Sequence, residues 1–193
     1  KAMKEIIEGI RESRSLEILN ISNTGCNQIV GPAIANFITE CQLLVKLDIS
    51  SCALRQSVIE ISNAIGSALK LKRLNLANNE LCIGGKKLAM QLGAGIVKGG
   101  TITRLNRSKN AINDEMAVPL LKSLADSPSI KHVDLSYNNI GEASGKTLAS
   151  LVAKTTTLKR LDISMNPILK VTINKTLGQK LLEDEDGKPG KKD

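Results

Sequence analysis

Aromatic residues are almost missing from this chain of 193 residues, which holds one Tyr, one Phe and no Trp. Rings normally fill the irregular space of a compact core. A core without them has to be built from Leu, Ile, Val and Ala in regular layers. Histidine is as scarce, with His132 alone, and the four cysteines (Cys26, Cys41, Cys52, Cys82) include no CxxC pair. That excludes a zinc set, and the cysteines read as free thiols of a reducing compartment. No apolar run is long enough to cross a membrane, and no signal-peptide pattern opens the chain, so membrane insertion is not expected. The sequence offers no Ser/His/Asp set and no paired carboxylates. The GxG within "LGAGIVKGG" (92–100) has no strand before it and no Lys-Ser/Thr after it, so it is not a phosphate loop. No catalysis, cofactor, metal or small-molecule substrate is expected.

What the chain does have is 41% hydrophobic residues, 24% charged residues and a net charge of +8. It is therefore globular and basic, a balance that suits acidic partners. The charge is spread along the chain and stacking aromatics are missing, which argues against nucleic acid.

The dominant feature is a repeat. The segments LEILNISNTGC (16–26), LVKLDISSCAL (44–54), LKRLNLANNEL (71–81), ITRLNRSKNAI (102–112), IKHVDLSYNNI (130–140) and LKRLDISMNPI (158–168) start 28, 27, 31, 28 and 28 residues apart. Aliphatics recur at positions one, four and six. Position nine reads Thr24, Cys52, Asn79, Asn110, Asn138 and Asn166. The middle of each unit is expected to be a short strand, with positions four and six inward and three, five and seven outward. An Asn at position nine can satisfy backbone donors and acceptors where the chain turns, and stacked copies would form a ladder. Thr24 and Cys52 can do this more weakly. The segments 31–40, 57–68, 113–127 and 141–154 carry apolar residues at helical spacing, with Asn113 or Asp114 as a cap. The expected fold class is α/β: a curved solenoid of about six repeats, parallel strands on its concave face and helices on its convex face.

These units, with their 28-residue spacing and Asn/Cys alternation at position nine, resemble the leucine-rich repeat, and within it the ribonuclease-inhibitor-like subtype. The resemblance covers residues 1–182 and implies a protein that works by holding another protein, usually inside the cell. An intracellular interaction scaffold is expected, for which a subunit of a cytoskeletal or ciliary (axonemal) assembly is one form. A GTPase-activating protein like the Ran activators and the sensor domain of a NOD-like receptor are the alternatives the family offers.

Residues 1–14 read as the helix of a partial repeat, so further repeats or another cap are expected upstream. Residues 171–182 read as a last helix, and 183–193 as a charged, solvated tail. Arg107 breaks the pattern by occupying position six, which should face the core. It is expected either to snorkel out or to find partners. The long 31-residue interval before it is expected to bulge at the loop preceding the fourth strand.

The outward positions give the candidate binding face. Position three reads Ile18, Lys46, Arg73, Arg104, His132 and Arg160, a basic stripe suited to an acidic protein surface, with the Asp column at position five offsetting part of its repulsion. Tyr137 and Met165, at position eight of the last two units, add the best exposed anchors. The candidate protein-binding residues are therefore Lys46, Arg73, Arg104, His132, Arg160, Tyr137 and Met165.

Overall fold

A computed structural model describes residues 2–168 apart from Glu12 and Arg14. The readings of 171–182 as a helix and 183–193 as a tail lie outside the described residues. A first helix, α1 (Ala2–Ile10), precedes β1 (Ile18–Asn20). Then α2 (Gly31–Glu40), β2 (Lys46–Asp48), α3 (Val58–Ile65), β3 (Arg73–Asn75) and α4 (Gly85–Gly99) follow. Next come β4 (Arg104–Asn106), α5 (Asp114–Ala125), β5 (His132–Asp134), α6 (Gly145–Lys154) and β6 (Arg160–Asp162). The six strands form one parallel sheet in the order β1 to β6. Each strand is only three residues long, because the unit buries a single inward leucine or valine per strand before it turns.

Positions four and six supply the layers of the core. Leu19, Leu47, Leu74, Leu105, Val133 and Leu161 form one column, and Ile21, Ile49, Leu76, Leu135 and Ile163 most of the next, all buried. Helices close the other side through residues such as Ile34, Ile61, Leu92, Leu121 and Leu151. Asn113 caps α5, its side chain accepting from the Met116 N–H at 3.2 Å.

The Asn ladder forms as a continuous network. Asn110 Oδ1 accepts from the Asn79 N–H at 2.7 Å, and Asn138 Oδ1 accepts from the Asn110 and Ile112 N–H groups at 3.0 and 3.1 Å. Each amide Nδ2 donates to carbonyls of its own repeat and of the preceding one, as Asn110 does to Ser108, Arg107 and Leu76. At the N-terminal end the ladder continues through sulfur and hydroxyl. Cys52 Sγ donates to the Ile21 carbonyl at 3.2 Å, as does Thr24 Oγ1 at 2.7 Å. Burial, followed by the neighbouring Cys26, pushes the Cys52 thiol up to about 12. It keeps the proton that this bond needs. Cys26, Cys41 and Cys52 are buried free thiols, and Cys82 is exposed.

The extra residues of the third interval do not bulge at a loop. They lengthen α4 to 15 residues, against 8 in α3 and 10 in α2. Its glycines are contact surfaces. A Cβ on Gly95 would lie 2.1 Å from the Ser62 carbonyl oxygen, and one on Gly99 2.7 Å from that of Ile65. Two neighbouring helices therefore approach backbone to backbone. An exposed helical Gly→Ala change gains up to about 1 kcal/mol. Gly95→Ala is instead expected to lower stability by about 2 kcal/mol through overpacking, read as an earlier urea midpoint. A higher midpoint would contradict the close approach.

Arg107 meets neither expectation made for it. It is 0% exposed, in the column between Leu76 and Leu135, and its Nε, Nη1 and Nη2 have no hydrogen-bond partner. Its backbone is fully used: the N–H donates to the Asp134 carbonyl at 2.8 Å, and its own carbonyl accepts from Asn110 and Asn138. The parallel ladder and the Asn network hold the strand in place, so the side chain has no route to solvent. Burial alone pushes its pKa down to about 10.

Candidate protein-binding face

The strand register places the basic residues side by side. Lys46 pairs with Arg73, Arg73 with Arg104, Arg104 with His132, and His132 with Arg160. At strand spacing the five span about 19 Å. Arg73 and Arg160 are exposed, and Lys46, Arg104 and His132 half-buried. A shallow cavity of about 350 Å³ lies over the strands and is lined by all five, with Asp48, Asn75, Asn106, Asp134 and Asp162 beside them. A second depression of about 500 Å³ adjoins it at the N-terminal edge of the strands, where Lys72 and Lys131 join Lys46, Arg73, Arg104 and His132.

The position-five column is committed to the backbone more than to the basic stripe. Oδ1 of Asn20, Asp48, Asn75, Asn106, Asp134 and Asp162 accepts the N–H two residues on, at 2.9 to 3.1 Å. Three of these carboxylates also accept from the serine hydroxyl at position seven, at 2.7 Å. They fix the exit of each strand. Asp162 Oδ2 lies 3.8 Å from Arg160 Nη2, while Asp48 Oδ2 accepts from Asn75 Nδ2 at 3.0 Å. The serines are also less outward than expected, for Ser108 and Ser136 are buried.

Tyr137 and Met165 stand apart from the cavity, at the rim where the strands end. They are 53% and 65% exposed. Lys109 occupies the same position one repeat earlier, and its Nζ sits 5.4 Å from the Tyr137 ring centre. Lys109 was not among the candidates. Its place in the position-eight column was the signal that could have found it.

Among the described residues no helix is long and apolar enough to cross a membrane, and no group of three or more His, Cys, Asp and Glu is placed to hold a metal ion. Comparison with known proteins bears on the fold. A family model described as Leucine Rich repeat matches residues 126–149, from the end of α5 into α6. Among curated proteins nothing matches. A tropomodulin C-terminal domain from Caenorhabditis elegans superposes with a TM-score of 0.63 at 14% identity, over 78% of this chain and 92% of that one. The actin-binding site 2 of leiomodin-1 gives 0.53 at 12%, over 93% and 90%. Internalin C2 from Listeria monocytogenes gives 0.51 at 17%, over 93% and 72%. At such identities the likeness is one of fold. It joins a sequence period, a parallel sheet with one strand per period, and a matching repeat model. The chain has the fold of a leucine-rich repeat solenoid.

Proposed function

We propose that this protein is an intracellular, cytoplasmic protein-binding scaffold that receives an acidic surface of its partner on the concave strand face. The observation that carries this reading is the in-register column Lys46, Arg73, Arg104, His132 and Arg160 over an open cavity. Lys46, Arg73, Arg104 and Arg160 bring basic side chains to one open face, and an acidic partner surface complements that face while raising the association rate. The repeat domain is taken as residues 1–182, in the ribonuclease-inhibitor-like subtype, with 183–193 as a charged tail. A cytoskeletal setting is favoured by the likeness to a tropomodulin domain and to a leiomodin actin-binding site, and a ciliary one is a narrower form of the same idea.

The test is an affinity capture from lysate, quantified by mass spectrometry, with the wild type beside Arg73→Glu/Arg104→Glu/Arg160→Glu. Circular dichroism establishes that the variant is folded. The expected result is one assembly recovered by the wild type and depleted at least tenfold with the variant. Equal recovery by both would move binding off the concave face. Stimulated GTP hydrolysis by a captured GTPase would instead favour the activator reading.

A further inference from the structure

Position eight is left-handed in every repeat. Asn23, Ser51, Asn78, Lys109, Tyr137 and Met165 all have φ between 53° and 56°. The turn after each strand imposes this, so it is a requirement of the fold. Asn meets it with least strain, and repeats one and three use Asn. Tyr137 and Met165 take the same backbone with bulky side chains, and neither is tucked into the core. In the isolated chain both are local liabilities: a disfavoured backbone and bare apolar surface. The two residues are also neighbours, since the Tyr137 N–H donates to the Ser164 carbonyl at 3.0 Å. Lys109 completes the column on the other side of the ring.

We infer that Lys109, Tyr137 and Met165 form an anchor for an extended acidic segment of a partner protein, whose large apolar side chain packs on the ring and thioether. Charge sets the rest of the segment. His132 and Arg160 head the same two repeats at position three, five residues before Tyr137 and Met165, a separation of at most about 17 Å. About five extended residues cover it. Carboxylates would meet Arg160 and Lys109, and the apolar residue would meet Tyr137 and Met165. This rests on the concave-face reading, which it deepens by naming the anchor and the chemistry of the segment.

The probe is a phage-displayed library of random twelve-residue peptides, selected on the wild-type protein. Individual peptides are then measured against Tyr137→Asn/Met165→Asn and against the triple charge reversal. Asn suits the left-handed backbone, so the double variant is expected to melt no lower than the wild type. The inference expects peptides that combine acidic residues with at least one large apolar residue. It also expects at least tenfold weaker binding to the double variant. Peptides that are acidic only, lose binding to the charge reversal and ignore the double variant would overturn the anchor while leaving the basic stripe standing. Failure to enrich any acidic peptide would overturn both.

Discussion

Replacing Arg107 by Leu is expected to stabilise the protein by about 3 kcal/mol, a rise in Tm of about 10 °C. The guanidinium is fully buried, carries no hydrogen bond, and is pushed by burial alone from its ordinary value down to about 10. The free energy that holds the proton more weakly in the folded state is the free energy by which the charge opposes folding. Leu restores the residue type found above and below it, at Leu76 and Leu135. Arg107→Met, closer in volume, is expected to gain a similar amount. The pH dependence has a definite sign. Below about pH 10 both folded and unfolded chains carry the charge, and the penalty stands in full. Between about 10 and the ordinary arginine value the unfolded chain keeps the proton that the folded chain releases, so the folded state gains as pH rises. The stability gap between wild type and Arg107→Leu should therefore narrow above about pH 10. Paired thermal melts at about pH 7 and about pH 11 read both effects. A lower Tm for Arg107→Leu would mean that the guanidinium is held by contacts the buried column lacks. A role as a finger presented to a partner is closed to it in this fold, because no atom of the side chain reaches the surface.

The second large effect lies one turn away. Asn110→Ala is expected to lower stability by about 4 kcal/mol, the sum of a few orphaned groups. The side chain is 1% exposed and serves two repeats at once. It accepts from the Asn79 N–H and donates to the carbonyls of Leu76, Arg107 and Ser108. Each buried backbone group left without a partner costs about 1–3 kcal/mol. The Arg107 carbonyl keeps the bond from Asn138 and the Ser108 carbonyl the one from the Asn78 N–H, so the loss falls mainly on the Asn79 N–H and the Leu76 carbonyl. Asn110→Cys should be milder, since Cys52 occupies the equivalent position and donates from Sγ to the Ile21 carbonyl. Urea unfolding of the two variants checks this. Equal losses for Ala and Cys would show that the ladder does not run through sulfur. Because each repeat touches only its neighbours, these losses should be localised. Hydrogen exchange should quicken first in the third to fifth repeats.

The strand positions were legible in the sequence because a fixed spacing brings identical side chains to identical places. Leu47, Leu74 and Leu105 could be stacked by arithmetic, and the register follows that arithmetic. The α4 segment was not legible. Gly93, Gly95 and Gly99 read as loop residues by propensity, yet they lie in a helix because two of them face a neighbouring backbone at a distance no Cβ allows. That is a property of the neighbour. Arg107 was visible as a fault in the pattern, and its outcome was not, since a snorkelling path depends on how tightly the ladder holds the strand. On the candidate face the basic column was readable residue by residue, as was the position-five column. The turn of each position-five Oδ1 toward the backbone was hidden, because an Asp beside an Arg reads first as an ion pair. The left-handed position eight left only a faint trace, in Asn23 and Asn78. Tyr137 and Met165 carry no such signal themselves.

If the concave strand face meets the partner, site-specific photo-crosslinking in lysate shows it most directly. The crosslinker p-benzoylphenylalanine is placed at Asn75 on the strand face or at Met90 on the exposed side of α4. The predicted result is one discrete adduct from position 75, abolished by the triple charge reversal, and none from position 90. An adduct from position 90 alone would place the interface on the helices and contradict the concave-face reading.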